Sequence, residues 1–420
     1  MPFIVPDLPT TRPATTPGVG PAGEEQPVIL PFMSYTWSAY AGRYATPFVT
    51  LMTEVDNAAP YAAKQLLRYP KGRRVLFFHG AEDRGMLFRN PNDRLQGRYR
   101  SLWVDKGIAA TKAYFANVVE LLWANKADID FAVFDMETLI SCWTLSPDDL
   151  AAIYADPRYK DLVATGRFPK DCRNMNVADA MLFNFGCAYI NDAAIRASLI
   201  TPLYKRYNNV NWCNYADAPV TKADAPMAPD FNDAPAYYAP SSAPYYAPVM
   251  NAYIGNLGVH DPRFKESWYV LALACNSVIA IYRAKATAKI MPWLAPKVMS
   301  NVFDWTWWQE QVFHACCLTG TNMLYFNADD PSPLSNWRFD NAIAQYVSNA
   351  RGQVWKSCLT TTFTSYDTGK FVLSAAKLAD GSMVGRVTFK PGVNSAKVTV
   401  EGKVYTANRA GDTPGAWIHS

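Results

Sequence analysis

The sequence lacks the features that mark membrane, nucleic-acid-binding and metal-binding proteins. No apolar run approaches the roughly 20 residues that a helix needs to cross a bilayer, so we expect no membrane span. Lysine and arginine form no blocks, and the net charge of the 420-residue chain is only +4, so we expect no nucleic-acid partner. The four histidines show no metal-ligand spacing, and no Gly-rich phosphate loop is present. We therefore expect neither a metal nor another cofactor.

The cysteines and the N-terminal segment leave the cellular compartment open. The eight cysteines form no Cys-x-x-Cys pair, which argues against a zinc site or a small disulfide scaffold. Their scatter is typical of buried thiols, with one or two disulfides if the protein works outside a cell. Residues 1–25 are rich in Pro, Thr and Gly, and we expect neither a secretory signal nor an anchor there.

What the sequence does contain is a series of eight short apolar runs. They are residues 28–35, 48–54, 74–79, 131–135, 210–214, 249–254, 289–294 and 323–326. Helical patterns occupy several of the gaps and follow the last run, at 108–125, 178–203, 267–286, 305–319 and 337–349. Strands that alternate with helices predict parallel pairing, and eight is the strand number of a TIM-type barrel. We therefore predict an α/β fold built on a (β/α)8 barrel.

The predicted domain organisation has three parts. A Pro-rich arm, 1–26, precedes the barrel, 27–352, and a C-terminal antiparallel β-sandwich spans 353–420. Its strands are predicted at 358–363, 370–376, 382–390, 396–401 and 403–407 from alternating runs between Gly-containing turns. Within the barrel, residues 216–249 repeat Ala-Pro and Tyr-Tyr units. This segment is expected to be an extended strap that either covers a cleft or replaces a helix.

The fourth apolar run ends in two carboxylates, Asp135 and Glu137. Because residues i and i+2 of a strand point to the same side, the two acids would project together beyond the sheet. A neighbouring carboxylate can raise the pKa of an acid into the range that general acid catalysis needs. The alternative interpretation is a pair of acids that caps the next helix or binds a nearby Arg or Lys.

Other polar and aromatic residues follow the predicted strands and would gather at the same end of a barrel. The candidate substrate-binding residues are Tyr35, His79, Trp212, Asn214, Tyr215, Tyr253, Trp293, Asn327 and Asp329. Such a mixture suits a sugar, because amides and acids bind hydroxyl groups and rings stack on pyranose faces. Each also has a structural interpretation: His79 as a hydrogen-bonded strand end, the tryptophans as core, and Asn327 and Asp329 as a helix-entry turn.

The strand that ends in Asp135, Met136 and Glu137 resembles the fourth barrel strand of retaining glycoside hydrolases with an Asp-x-Glu pair. This group contains chitinases, hexosaminidases and hyaluronidases. Cys213, Asn214 and Tyr215 are similar to a Cys, Tyr and Asn cluster of hyaluronidases, and the segment that ends at Tyr253 is similar to the Met-x-Tyr strand of chitinases. Met136 departs from the usual aromatic residue, and no Trp-Arg-Pro sequence follows the pair.

This resemblance implies substrate-assisted hydrolysis with retention. Glu137 would protonate the glycosidic oxygen, Asp135 would orient an N-acetyl group that attacks the anomeric carbon, and Tyr253 would bind the same group. The seventh predicted strand, 289–294, ends without a carboxylate, where ordinary retaining barrels carry their nucleophile. If an enzyme nucleophile is used instead, Glu310, Asp304 or Asp329 could supply it from a loop.

The sequence therefore favours a glycoside hydrolase that acts on a polysaccharide, with N-acetylhexosamine as the expected sugar. An alternative from another class is a non-catalytic carbohydrate-binding or virion and surface structural protein that keeps the barrel. The Pro-rich arm and the strap would fit that role. A barrel enzyme of another chemistry is the third candidate. The sugar, the linkage and the oligomeric state are not predicted.

Overall fold

A computed structural model describes seventeen segments of the chain, which together cover a little under half of the residues up to 332 and all of 333–420. The described residues are 29–32, 49–51, 55–69, 74–78, 105–135, 147–166, 168–174, 179, 201–208, 210–215, 221–222, 225–226, 266–284, 293–294, 305–320, 323–326 and 333–420. The predicted arm, the sixth predicted strand and most of the predicted strap lie outside these residues.

Helices and short strands alternate as far as residue 349, and strands alone follow. The helices are α1 (Val55–Leu66), α2 (Asp105–Ala124), α3 (Pro147–Ala155), α4 (Pro157–Ala164), α5 (Thr201–Arg206), α6 (Ser267–Ala284), α7 (Trp305–Thr319) and α8 (Pro333–Asn349). The strands before residue 350 are β1 (Ile29–Phe32), β2 (Val49–Leu51), β3 (Val75–Phe78), β4 (Phe131–Asp135), β5 (Asn211–Tyr215), β6 (Thr221–Lys222), β7 (Ala225–Pro226), β8 (Trp293–Leu294) and β9 (Met323–Phe326). The later strands are β10 (Trp355–Cys358), β11 (Phe371–Leu378), β12 (Met383–Phe389), β13 (Ser395–Val400), β14 (Lys403–Asn408) and β15 (Gly415–His419).

Two parallel sheets form the centre of the α/β region. One has the order β2-β3-β4-β5 and the other the order β1-β9-β8, and every neighbouring pair in both sheets is parallel. Seven of the eight predicted strands are therefore present as strands, within a few residues of their predicted bounds. The mixed α/β class is confirmed, and within the predicted strap β6 and β7 form a short antiparallel pair.

The middle of the four-stranded sheet is buried on both faces. Leu76, Phe77, Ala132 and Val133 are all fully buried, although neighbouring residues in a strand point to opposite faces. A strand covered on both sides must be apolar throughout, which explains the continuous apolar runs in the sequence. Helices α1 and α2 pack against each other beside this sheet.

Three helices were not predicted from the sequence: α1, α3 and α4. Helix α1 contains Pro60 in its interior, a residue that usually argues against a helix. Helix α4 does carry start signals, because the carboxylate of Asp156 accepts a hydrogen bond from the backbone N–H of Arg158 and Pro157 occupies the first helical position. Those signals could have predicted α4.

The C-terminal strands form a four-stranded antiparallel sheet, β10-β11-β12-β15, and a β13-β14 hairpin. The hairpin turns at Glu401 and Gly402, both with positive φ, as a two-residue type I′ turn requires. The predicted strand at 358–363 is wrong in position, because β10 ends at Cys358. Strand β15 was not predicted.

The four-stranded sheet lies between the hairpin on one face and helices on the other. A single hydrophobic cluster joins residues of β11, β12 and β15 to Val398, Val400 and Ala407 of the hairpin. The opposite face contacts α6 and α7. Every residue of β12 is buried as a result.

The helices are tied to the C-terminal strands by specific hydrogen bonds. Asn276 of α6 accepts a hydrogen bond from the backbone N–H of Thr364 and donates one to its carbonyl, both at 2.9 Å. The indole of Trp355 donates to the carbonyl of Cys317. Its ring lies against Gly320, where φ is +68° and a Cβ atom would come within 2.7 Å of the indole. Glycine is required there on both grounds.

Candidate functional site

Three residues of the predicted active site lie at the carboxyl edge of the four-stranded parallel sheet. Asp135, the last residue of β4, is the register partner of Tyr215, the last residue of β5. Asn214 is the partner of Phe134, one position earlier. The register therefore places Asp135, Asn214 and Tyr215 at one edge of the sheet. Trp212 lies two positions before Asn214 in the strand, opposite Ala132.

The remaining predicted site residues are dispersed or lie outside the described residues. Trp293 belongs to the other parallel sheet, where it pairs with Leu324 of β9. The residues outside the described part are Glu137, Tyr253, Asn327, Asp329, Tyr35 and His79. Their assignments stay predictions.

The opposite, amino edge of the same sheet is held by charged groups. The backbone N–H of Arg74 donates to the carboxylate of Asp130 at 2.9 Å, and its carbonyl accepts from the N–H of Asp130 at 2.8 Å. The guanidinium of Arg74 forms an ion pair with Asp128 and donates to the carbonyl of Tyr69. These contacts align the starts of β3 and β4, so they support the register that places Asp135 beside Tyr215 at the other end.

Glu310 is not a loop carboxylate facing a cleft, and its prediction as an alternative nucleophile is wrong. It lies inside α7 with 2% of its surface exposed. Arg386 of β12 donates to it through Nε at 2.8 Å and completes a buried ion pair through the second nitrogen. The hydroxyl of Thr388 donates to it as well. A carboxylate held in this way cannot reach a substrate.

Glu310 is the end of a directed chain of hydrogen bonds. Because a carboxylate only accepts, Thr388 must donate its proton to Glu310, so the oxygen of Thr388 accepts from Nε2 of His314 at 2.8 Å. Nδ1 of His314 then accepts from the hydroxyl of Ser374 at 2.7 Å. Burial, with a smaller effect of Arg386, lowers the pKa of His314 to about 3. The imidazole is therefore neutral, with its proton on Nε2.

The guanidinium of Arg386 also lies between two aromatic rings. Its central carbon is 4.8 Å from the ring centroid of Phe313 and 5.0 Å from that of Trp417, within the range of cation–π attraction. The network connects α7 to the C-terminal sheet and its groups are buried, so its role is structural. The sequence could have indicated this network. Strand β12 contains a single charged residue, Arg386, and a charged residue buried in a strand needs a partner of opposite charge.

Four cysteines of the described part, Cys172, Cys316, Cys317 and Cys358, carry free thiols. Cys172, Cys275, Cys316 and Cys317 are buried and Cys358 is half-buried, which agrees with the buried thiols expected from the sequence. Burial raises the pKa of Cys358 to about 11 and that of Cys172 to about 12. At neutral pH these two sulfurs stay protonated and are poor nucleophiles.

The described ranges contain neither a candidate metal site nor a candidate membrane span. Among those residues no group of three or more His, Cys, Asp and Glu side chains is arranged to hold a metal ion. No helix within the described part of the chain is both long and apolar enough to span a bilayer.

The chain is similar to known proteins in structure but not in sequence. No family model matches the chain, and no curated protein matches it. The chain is similar to an α-galactosidase from Lactobacillus brevis, with 10% identity, a TM-score of 0.41, and coverage of 90% of this chain and 48% of that one. It is also similar to an endo-β-1,6-glucanase, with 8% identity, a TM-score of 0.36, and coverage of 89% and 82%.

Both solved structures are glycoside hydrolases by their names, and neither is a chitinase or hyaluronidase. The chain spans about half the length of the α-galactosidase. Similarity at this level assigns no substrate or mechanism to the chain.

Proposed function

We propose that the protein is a glycoside hydrolase built on a (β/α)8 barrel that spans residues 27–352. Support for the barrel comes from the sheet β1-β9-β8, in which the first of the described strands pairs in parallel with the last described strand of the α/β region. Closure of a barrel requires this neighbour relation. The second sheet supplies strands two to five in sequence order. The arm, 1–26, and a small β-sandwich, 353–420, complete the proposed organisation.

The observation that carries the functional proposal is the position of Asp135. It ends β4 at the carboxyl edge of a parallel sheet, beside Tyr215. In barrel enzymes the catalytic groups come from the carboxyl ends of the strands and the loops that follow them. Glu137 follows two residues later, so an acid pair would stand at the position where such folds carry out chemistry.

The proposed mechanism is acid catalysis with retention, assisted by the substrate. Glu137 protonates the leaving oxygen, while Asp135 orients the N-acetyl group of the sugar for attack on the anomeric carbon. Tyr253 holds the same group. Asn214, Tyr215, Trp212, Trp293, Asn327, Asp329, Tyr35 and His79 are the proposed contacts to the rest of a polysaccharide. The burial of Glu310 in an ion pair removes one competing nucleophile and so favours this route.

The test compares two Glu-to-Gln variants on a panel of polysaccharides with and without N-acetylhexosamine. Glu137→Gln keeps the shape of the side chain but cannot donate the proton, so we expect a loss of about 10²- to 10⁴-fold in kcat. Glu120→Gln is the control, because Glu120 lies in an ion pair with Arg206 whose side chains are both at least one-third exposed. The control should cleave as the wild type does, with retained configuration at the anomeric carbon by NMR.

Each outcome separates the candidates. Unchanged cleavage by Glu137→Gln would exclude Glu137 as the acid. If the wild type binds a polysaccharide of the panel and cleaves none, the carbohydrate-binding or virion-associated alternative replaces the enzyme.

A further inference from the structure

A cleft of about 470 Å³ opens on the C-terminal module, at a distance in sequence from every predicted site residue. One wall is the segment 359–365, which includes Thr361, Thr362 and Phe363. The other wall is β13 with the turn that follows it, and Lys370, directly before β11, also lines the cleft. Its volume lies within the range of about 300–1,000 Å³ that is typical of ligand sites.

The walls of this cleft offer polar groups that the protein leaves unused. Thr361 and Thr362 are exposed, and within the described part of the chain neither their hydroxyls nor their backbone groups make a hydrogen bond. Among the described strands β13 pairs only with β14, so its outer edge also presents unpaired backbone groups to the cleft. Hydroxyl and peptide groups together with the ring of Phe363 match the polar edges and apolar faces of a sugar.

Charge indicates which kind of sugar would bind. Residues 353–420 hold eight Lys and Arg but four Asp and Glu, so their net charge of +4 equals that of the whole chain. Lys370 and Lys397 line the cleft and have no ion pair in the described structure. The acid of the cleft, Glu401, is engaged by Lys377 at 3.3 Å. The cleft lining therefore holds two lysines without an ion pair in the described structure and one acid that is already paired.

We propose that this cleft binds an acidic polysaccharide, with Lys370 and Lys397 pairing with carboxylate or sulfate groups and the threonines bonding the hydroxyls. A peptide strand is disfavoured, because a lysine on an edge strand opposes pairing with another chain. A nucleic acid is disfavoured because single strands bind by stacking on successive rings, whereas the cleft lining holds two rings, and one of them, Phe371, packs against the hydrophobic cluster of the module. The site is independent of the proposed hydrolase activity.

The test measures binding of the full chain to polygalacturonate, to a neutral β-glucan and to single-stranded DNA by affinity electrophoresis and calorimetry. Lys370→Gln/Lys397→Gln should weaken binding to polygalacturonate about tenfold, which corresponds to about 1.4 kcal/mol. The matched control is Lys356→Gln/Lys403→Gln, which removes the same charge from exposed positions outside the cleft. We expect the control to bind as the wild type does.

Other results would overturn the proposal. If the two double variants lose affinity for polygalacturonate equally, the attraction comes from the overall charge of the module and not from the cleft. Equal affinity for the neutral glucan would exclude charge recognition, and tighter binding of DNA would exclude a carbohydrate ligand. Measurement in the Glu137→Gln background keeps this result separate from the failure or success of the hydrolase proposal.

Discussion

The two faces of β12 are equally buried and chemically opposite. Val387 points to the hairpin and belongs to an apolar cluster, whereas its neighbour Arg386 points to α7 and pairs with Glu310. The exposed fraction is 0% for Val387 and 5% for Arg386. Burial alone therefore does not describe how the sheet is stabilised.

The difference teaches what each face contributes. Apolar contacts stabilise in proportion to the area they remove from water and tolerate many arrangements of side chains. A buried ion pair must first offset the cost of taking two charges out of water, and it contributes only where both partners meet in the right geometry. We infer that the apolar face stabilises the module and that the polar face fixes how α7 sits on it.

The largest effect is expected from breaking the polar face on one side. Arg386→Leu leaves the carboxylate of Glu310 buried without its partner, which should lower the free energy of unfolding by about 3–5 kcal/mol. Denaturation by urea, followed by tryptophan fluorescence, measures the change. The double variant Glu310→Leu/Arg386→Leu removes both charges and should recover most of the loss. A double variant as unstable as the single one would contradict the assignment of an ion pair.

A smaller effect is expected from the apolar face. Val387→Ala removes two methyl groups from a fully buried position and should cost about 2 kcal/mol. The same urea titration measures the change. A second substitution elsewhere in the apolar cluster should not restore the free energy of unfolding, whereas Glu310→Leu should restore it in the Arg386→Leu protein. Recovery of that kind would show that the two faces do not differ as proposed.

The smallest effect, when counted per pH unit, concerns His314. The folded protein keeps this imidazole neutral down to about pH 3, while the unfolded chain protonates it below about pH 6.5. Between these values the unfolded state binds more protons, so the free energy of unfolding falls as the pH falls, by up to about 1.4 kcal/mol per pH unit. Nearby charges are Glu310 and Arg386, which are paired with each other.

The measurement compares wild type with His314→Gln at pH 7, 6 and 5. Glutamine can accept from Ser374 and donate to Thr388 without titrating, so the stability difference between the two proteins should shift in favour of the variant as the pH falls. His419→Gln is the comparison variant: partial burial and the charge of Arg351 also lower the pKa of His419, so its curve should shift in the same direction but by less than that of His314→Gln. Parallel curves for wild type and His314→Gln would contradict the neutral buried imidazole.

The sequence predicted those parts of the fold in which local pattern and final environment agree. Residues 131–135 and 323–326 are apolar runs and became strands, and 305–319 became α7 with the predicted bounds. The prediction of a strand at 358–363 failed because the β-branched residues of this segment are typical of strands. In the structure Thr360 accepts from the backbone of Ala375, and Asn276 holds the backbone of Thr364. These distant partners keep the segment out of the sheet.

The candidate site divides in the same way. The apolar runs indicate the order of the strands. From that order it follows that the strand ending in Asp135 lies beside the strand ending in Tyr215. Glu310 could not be placed, because its partner Arg386 is 76 residues away, and a helix composition does not reveal which of its faces another module covers. Pairing across such distances is decided by packing of whole elements, which composition alone does not predict.

The hydrogen bonds between Asn276 and Thr364 bear on how this protein could be shortened or recombined. They bind a helix of the α/β region to the segment between β10 and β11 through backbone groups of Thr364, so among substitutions at that position only proline, which lacks the N–H, would remove one of them. A chain cut after residue 352 would leave this amide, Glu310 and one face of α7 without their partners. Residues 353–420 therefore cannot be removed without exposing these groups. Replacement by a module from another protein would have to include α6 and α7.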